Sequence, residues 1–292
     1  MRDEIQRFLD FLAKEKSYAD NTIAAYRNDL AQFLQYLAEQ GIDPQQPSWS
    51  KVDKQSIVNY ILNLKEREYT SSTVARKVAA VKSFFHYLLA ESLIKDDPTT
   101  TLDSPKVKKR LPKAISRGDI ERLLAAPADG VTAKSQRDHA LLELLYASGM
   151  RVTELVSLDV PDIDLALGTV RVSGKKSVSK ERIIEIGEQA LDAIRVYLGR
   201  GRDQLMREPE ERALFLNHRG QRLTRQGLWL IIKHYVEQVG IAEDVTPHTL
   251  RHSFAAHKLS QGKSLQDIQR LLGHANISTT QIYQQVNQEA DL

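Results

Sequence analysis

The sequence predicts a mainly α-helical protein with a small β-sheet confined to its C-terminal domain. Three observations predict it. Apolar residues recur at helical spacing through the first hundred positions. A proline stop and a basic stretch then divide the chain. Beyond them, helical patterns are interrupted once, by two short β-branched runs around a polar turn. A length of 292 residues suits about two domains. A composition of 41% hydrophobic and 27% charged residues supplies enough apolar material for a core in each.

The N-terminal domain, placed at 1–98, reads as a helical bundle. Ile5, Phe8, Leu9, Phe11 and Leu12 mark the first helix. Tyr26, Leu30, Phe33, Leu34 and Leu37, after the cap-like Asp20-Asn21-Thr22, mark the second. Gly41, Pro44 and Pro47 break the chain. A third run holds Ile57, Val58, Ile61, Leu62 and Leu64. A fourth starts at Ser71 or Ser72 and carries Val74, Val78, Val81, Phe84, Phe85 and Leu88. Four such stripes can bury one another. Asp97-Pro98 ends the domain, because a residue before proline disfavours the α region. The linker, 99–115, includes Lys106 to Lys113, with five cations in eight residues. It reads as a solvated linker or as a strap along a polyanion, with Lys108, Lys109 and Arg110 as candidate contacts.

The C-terminal domain, 116–292, opens on Ser116 and Asp119, a capping-box pattern before Ile120, Leu123 and Leu124. A helix is expected over 138–147, ended by Gly149, and another from Val152. Thr169–Ser173 and Arg182–Ile186 predict the β-hairpin. Helices follow over 188–199, 225–238, 248–260 and 264–273.

Charge is a weak guide. The net charge is +3, and residues 1–105 hold 13 Lys/Arg against 15 Asp/Glu. The remainder is therefore modestly basic. The chain has no cysteine, which rules out disulfides, iron–sulfur clusters and thiol nucleophiles and suits a reducing cytoplasm. No apolar run is long enough for a membrane span, and the acidic, amphipathic start does not read as a signal peptide. A cytoplasmic protein is expected. His248 and His252 are four apart, but Thr249 stands where a zinc protease needs Glu. Gly168 to Lys176 has the wrong glycine spacing and context for a phosphate loop. Metal and ATP chemistry are not expected.

The remaining candidates are cations in distinctive settings. Arg151 follows a glycine turn in Gly149-Met150-Arg151-Val152-Thr153-Glu154-Leu155. Lys175 lies in the hairpin turn, with Lys176 and Lys180 as rivals. His248 and Arg251, three apart, share a helix face. His274 follows Gly273, and Tyr283 stands nine residues further on. Singly, each is as well read as a packing or surface residue.

Together and in order, these residues resemble the tyrosine recombinase (phage integrase) family, and within it the XerC/XerD group. That family carries an Arg in G-x-R-x-x-E-L, a hairpin Lys, an H-x-x-R pair, a G-H and a Tyr nine residues beyond the last His. The similarity covers nearly the whole chain. It implies an N-terminal core-binding domain and an α+β catalytic domain. It also implies Arg151, Lys175, His248, Arg251, His274 and the nucleophile Tyr283 as catalytic residues, with Glu154 supporting the first arginine. His248 is the candidate to take the phenol proton. Two departures stand out. The hairpin turn is about two residues longer than the usual G-K-G-x-K-E-R, and only nine residues follow Tyr283, so a tail contact with a neighbouring subunit should be reduced.

The resemblance implies cleavage and rejoining of DNA through a 3′-phosphotyrosyl link, without metal, ATP or other cofactor, and a default role in chromosome or plasmid dimer resolution. The implied partners are double-stranded DNA, a homo-tetramer or a hetero-tetramer with a paralogous recombinase assembled on it, and a cell-division DNA translocase. Arg76, Lys77 and Lys82 in the bundle, and Arg222 and Arg225 before a C-terminal helix, are further candidate DNA contacts. Competing readings are a type IB topoisomerase or phage-type integrase, separated by two-site strand exchange, and a non-catalytic DNA-binding regulator, which would use the helix-turn-helix-like stretch from Ser264 to Tyr283.

Overall fold

The structure, a computed structural model, describes residues 1–42, 49–103, 114–173 and 181–290, with side chains as far as Gln284. The chain divides into two compact units, Met1–Lys109 and Arg110–Leu292.

The first unit is a bundle of α1 (Arg2–Lys14), α2 (Asp20–Glu39), α3 (Lys54–Glu66) and α4 (Ser71–Ala90). Asp53 caps α3 by accepting from the Ser56 amide at 2.8 Å. Thr70, one residue before the expected start, caps α4 through the Thr73 amide. Each cap satisfies an amide that the first helical turn leaves orphaned. The apolar stripes meet in an aromatic core. Phe8 meets Phe84 edge-on at 5.4 Å between centroids, Phe33 meets Tyr60 at 4.9 Å, and Trp49 meets Phe84 at 4.7 Å. Beside this core, Asp29 of α2 is buried and ion-paired to Arg76 and Lys77 of α4.

The second unit is built around α6 (Ala133–Ser148). This helix buries Ala140, Leu141, Leu142, Leu144 and Leu145, so it is apolar on several sides, as a central helix must be. It starts earlier than the expected 138, because Thr132 accepts from the Ser135 amide at 3.1 Å and caps it. Before it lies α5 (Arg117–Ala125), where Ser116 Oγ accepts from the Asp119 amide as its sequence suggests. After it come α7 (Val152–Leu155) and a three-stranded antiparallel sheet of β1 (Ile163–Asp164), β2 (Thr169–Val172) and β3 (Arg182–Glu185), in that order. Val170 pairs with Ile184, and Val172 with Arg182. Period-two alternation sends Val170, Val172 and Ile184 into the core. The helix expected over 188–199 is α8 (Glu188–Val196). It runs through a π-helical turn at Tyr197–Gly201 into α9 (Arg202–Leu205). Helices α10 (Arg225–Gln238), α11 (Pro247–Ser260), α12 (Leu265–Leu272) and α13 (Ser278–Ala290) complete the unit.

Gly149 ends α6 in the left-handed region at φ 57°. A Cβ there would lie 2.3 Å from the ring of Phe254 on α11. Gly149→Ala therefore combines a left-handed alanine, costing about 1–2 kcal/mol, with overpacking that costs about 1–3 kcal/mol. Urea denaturation should show a loss of roughly 2–5 kcal/mol. An unchanged midpoint would mean that the ring retreats freely.

Candidate active site

The site forms where α7, β3, α11, α12 and α13 converge. It is organised by the end of α12. Gly273 closes this helix at φ 63°, with its own amide on Arg270 O and the His274 amide on Gln269 O at 3.1 Å. This Schellman pattern satisfies two terminal carbonyls. The next three each accept from a different arginine. Arg182 Nε donates to Leu271 O at 2.9 Å, Arg251 Nη2 to Leu272 O at 2.7 Å, and Arg151 Nη2 to Gly273 O at 3.2 Å. Cations also suit the negative end of the helix dipole.

Glu154 is the counter-charge. Its carboxylate accepts from the Arg151 backbone amide at 2.7 Å and Arg151 Nη1 at 3.1 Å. It also takes two donors from Arg182, at 3.0 and 2.8 Å. Burial alone would raise its pKa. The bonds to Arg182 and Arg151 outweigh burial and hold it below the usual range. Arg251, from the second turn of α11, is 5% exposed and also donates to Gly149 O at 2.6 Å. Burial, helped by Arg151, pulls its pKa down to about 10, so it is still a cation at neutral pH.

Tyr283 comes to this cluster on α13. It is 2% exposed and packs with Phe254, Ala255, Ile268 and Leu272. Its hydroxyl lies 2.8 Å from His252 Nδ1, and its ring stacks on His274 with centroids 6.5 Å apart and planes 13° from parallel. Burial raises the phenol pKa, opposed first by Arg251 and then by Arg151. Burial also pushes His252 and His274 down to about 4. His248 and Arg251 reinforce this at His252, and Arg251 and Arg151 at His274. Both imidazoles are therefore neutral at pH 7. His274 Nδ1 is tied to Thr280 Oγ1 at 2.9 Å.

Arg151, Glu154, Arg251, His274 and Tyr283 are thus brought to one place. His248, the expected acceptor of the phenol proton, is the exception. It is exposed one turn before His252, with ring centroids 6.0 Å apart. The phenol's hydrogen-bond partner in this arrangement is His252. The i, i+4 spacing puts both rings on one face of α11, and α13 packs nearer the second. The sequence brings His252 to notice only as a metal ligand, and it marks Arg182 only as the last residue of the turn compared with G-K-G-x-K-E-R, with no role attached. Lys175, Lys176 and Lys180 lie outside the described residues, as do Lys108, Lys109 and Arg110. Among the described residues no group of three or more His, Cys, Asp or Glu could hold a metal ion, and no helix is long and apolar enough to cross a membrane.

Four of the five expected DNA contacts among the described residues have partners within the protein. Lys77 is buried and bonds to Asp29 at 2.9 Å, and Arg76 pairs with the same carboxylate. Lys82 donates to Leu102 O at 2.8 Å. Arg222 donates to Val156 O and Leu158 O at 3.1 and 2.9 Å and pairs with Asp159, which makes it a staple between loops. Arg225 is exposed at the first turn of α10, beside an open cleft lined by Val152, Thr224, Gln226, Trp229 and Pro247.

A phenol among guanidinium groups and neutral imidazoles is equipment for displacement at an anionic phosphorus, with a protein oxygen as nucleophile. Comparison with known proteins agrees. The phage integrase family matches residues 113–290, and the family's N-terminal SAM-like domain matches residues 5–92. The chain is 49% identical over 289 residues to a tyrosine recombinase XerC of Herpetosiphon aurantiacus, covering 99% of this chain and 92% of that one. It is 43% identical to a tyrosine recombinase XerD of Halalkalibacterium halodurans, covering 98% and 94%. The fold matches XerH recombinase in its post-cleavage complex with a palindromic difH substrate, with a TM-score of 0.75 at 20% identity over 98% of this chain and 92% of that one. The chain belongs to the phage integrase family and is a tyrosine recombinase.

Proposed function

We propose that this enzyme is a site-specific recombinase of the Xer type, which cuts and reseals duplex DNA in the cytoplasm to resolve chromosome or plasmid dimers. The observation that carries the chemistry is the convergence of Tyr283 with Arg151, Arg251, His252 and His274. The phenol oxygen attacks the phosphorus, and the P–O5′ bond breaks. Arg151 and Arg251 offer N–H donors to the non-bridging oxygens, where negative charge grows. The phenol proton passes to an imidazole of α11: His252, which is neutral and bonded to the phenol in the arrangement seen here, or His248, one turn before it. The leaving 5′-oxygen takes a proton from a hairpin lysine, with Lys175 preferred over Lys176 and Lys180. The ester formed, a 3′-phosphotyrosyl, keeps the energy of the broken bond. A second 5′-hydroxyl can therefore reverse the step, which is why neither ATP nor metal is required. DNA is gripped by the 106–113 segment and by Arg225, and a tetramer assembles on two duplexes, with or without a paralogous partner and a DNA translocase.

The test is strand exchange between two duplexes carrying a site recovered by footprinting. Recombinant product of reciprocal composition is expected. Relaxation of supercoils without exchange would point to a topoisomerase, and binding with no covalent species would point to a regulator.

A further inference from the structure

Arg182 has no role in the chemistry above, yet its guanidinium makes three hydrogen bonds within the site. It is the first residue of β3, and its guanidinium reaches across to two other elements. Two N–H groups meet both oxygens of Glu154 at 3.0 and 2.8 Å, and Nε meets Leu271 O at 2.9 Å. Both members of this ion pair are only 15% exposed. Such a two-pronged pair fixes orientation as well as distance. Gly273 makes room for it, because a Cβ there would lie 2.9 Å from Arg182 Nη1. Glu154 then holds Arg151 by its backbone amide and by Nη1. The carbonyl of Leu271 belongs to the turn that leads into His274.

We infer that Arg182 is a positioning residue for the phosphate-binding groups: it fixes Glu154, and through it the Arg151 guanidinium, while holding the α12 corner that presents His274. This rests on the assignment of Arg151 and His274 to the reaction centre made above.

The test uses the full chain and a nicked suicide duplex, reading the half-saturating DNA concentration and the single-turnover rate of covalent adduct at saturating DNA. Arg182→Gln should slow adduct formation about ten- to a hundredfold, as loss of an outer partner does at other organised sites, with half-saturation unchanged. Arg182→Lys should recover part of the rate, since an ammonium meets one Glu154 oxygen but cannot span both. Arg182→Gln combined with Glu154→Gln should be no slower than the slower single variant, because both break one link. A wild-type rate in Arg182→Gln, a defect confined to DNA affinity or to thermal stability, or fully additive losses would each overturn the inference. If Arg182→Gln does not fold, Arg182→Lys decides: a lowered rate at unchanged half-saturation supports the role, and an unchanged rate overturns it. Failure of the underlying reading looks different. There Arg151→Ala cleaves normally, or the wild-type chain forms no adduct, and this inference falls with it.

Discussion

Tyr283→Phe is expected to abolish covalent attachment to a nicked suicide duplex while leaving DNA binding intact. The substitution removes one oxygen and keeps the ring that packs with Phe254, Ile268 and Leu272 and stacks on His274. With that oxygen goes the 2.8 Å hydrogen bond to His252 Nδ1. A single hydrogen bond is worth about 0.5–1.5 kcal/mol net, too little to unfold the domain. His252 is neutral at pH 7 and half-buried, so its ring nitrogen is deprived of the phenol without leaving a buried charge. The effect should therefore be chemical and total. The reading is a denaturing gel of protein linked to labelled DNA. An adduct forming at the wild-type rate in the Phe variant would move the nucleophile elsewhere.

Arg251→Ala should lose both cleavage and stability. Its guanidinium is nearly sealed from solvent and satisfies Gly149 O at 2.6 Å and Leu272 O at 2.7 Å. Two buried carbonyls left without donors cost about 1–3 kcal/mol each, so a loss of roughly 2–6 kcal/mol is expected in urea denaturation. Removing a donor aimed at developing negative charge slows the chemical step by about a hundred- to a thousandfold. Arg251→Lys separates the two effects. It keeps a charge and an ammonium donor group near the carbonyls, so it should recover part of the stability. It lacks the planar fork, so cleavage should stay low. Cleavage at the wild-type rate in the alanine variant would remove Arg251 from the reaction.

Much of the architecture is legible in the sequence because it rests on local signals. Helical stripes, the glycine at 149 and the β-branched flanks of the hairpin each act within a few residues, and the elements they mark form near their expected places, whereas β1 and α13 have no expected place. The expected start of α6 falls late because Thr132 and Ser135 sit among polar residues that do not disturb the apolar period. The site is legible as a set of residues and illegible as a set of contacts. Which histidine meets Tyr283 depends on how α11 and α13 pack, and nothing local distinguishes His248 from His252. Arg182 reaches Glu154 from 28 residues away and Leu271 from 89, so only the assembled fold shows its use. The candidate DNA contacts show the converse. Arg76, Lys77 and Arg222 read as free cations until Asp29 and Asp159 are found beside them. A sequence displays charges but not which opposite charges lie within reach.

The three guanidinium groups that terminate α12 have a consequence for how such a protein can change. On the mechanism proposed above, folding and reactivity draw on the same guanidinium groups. On that mechanism, a mutation at Arg151 or Arg251 that alters the response to an incoming phosphate also disturbs the helix end. Variation that keeps the protein intact is therefore steered away from these positions, toward exposed surfaces such as the first turn of α10, the proposed duplex contact, that do not hold the domain together. A shift in target preference can accumulate there, with the bond-exchanging machinery left as it is.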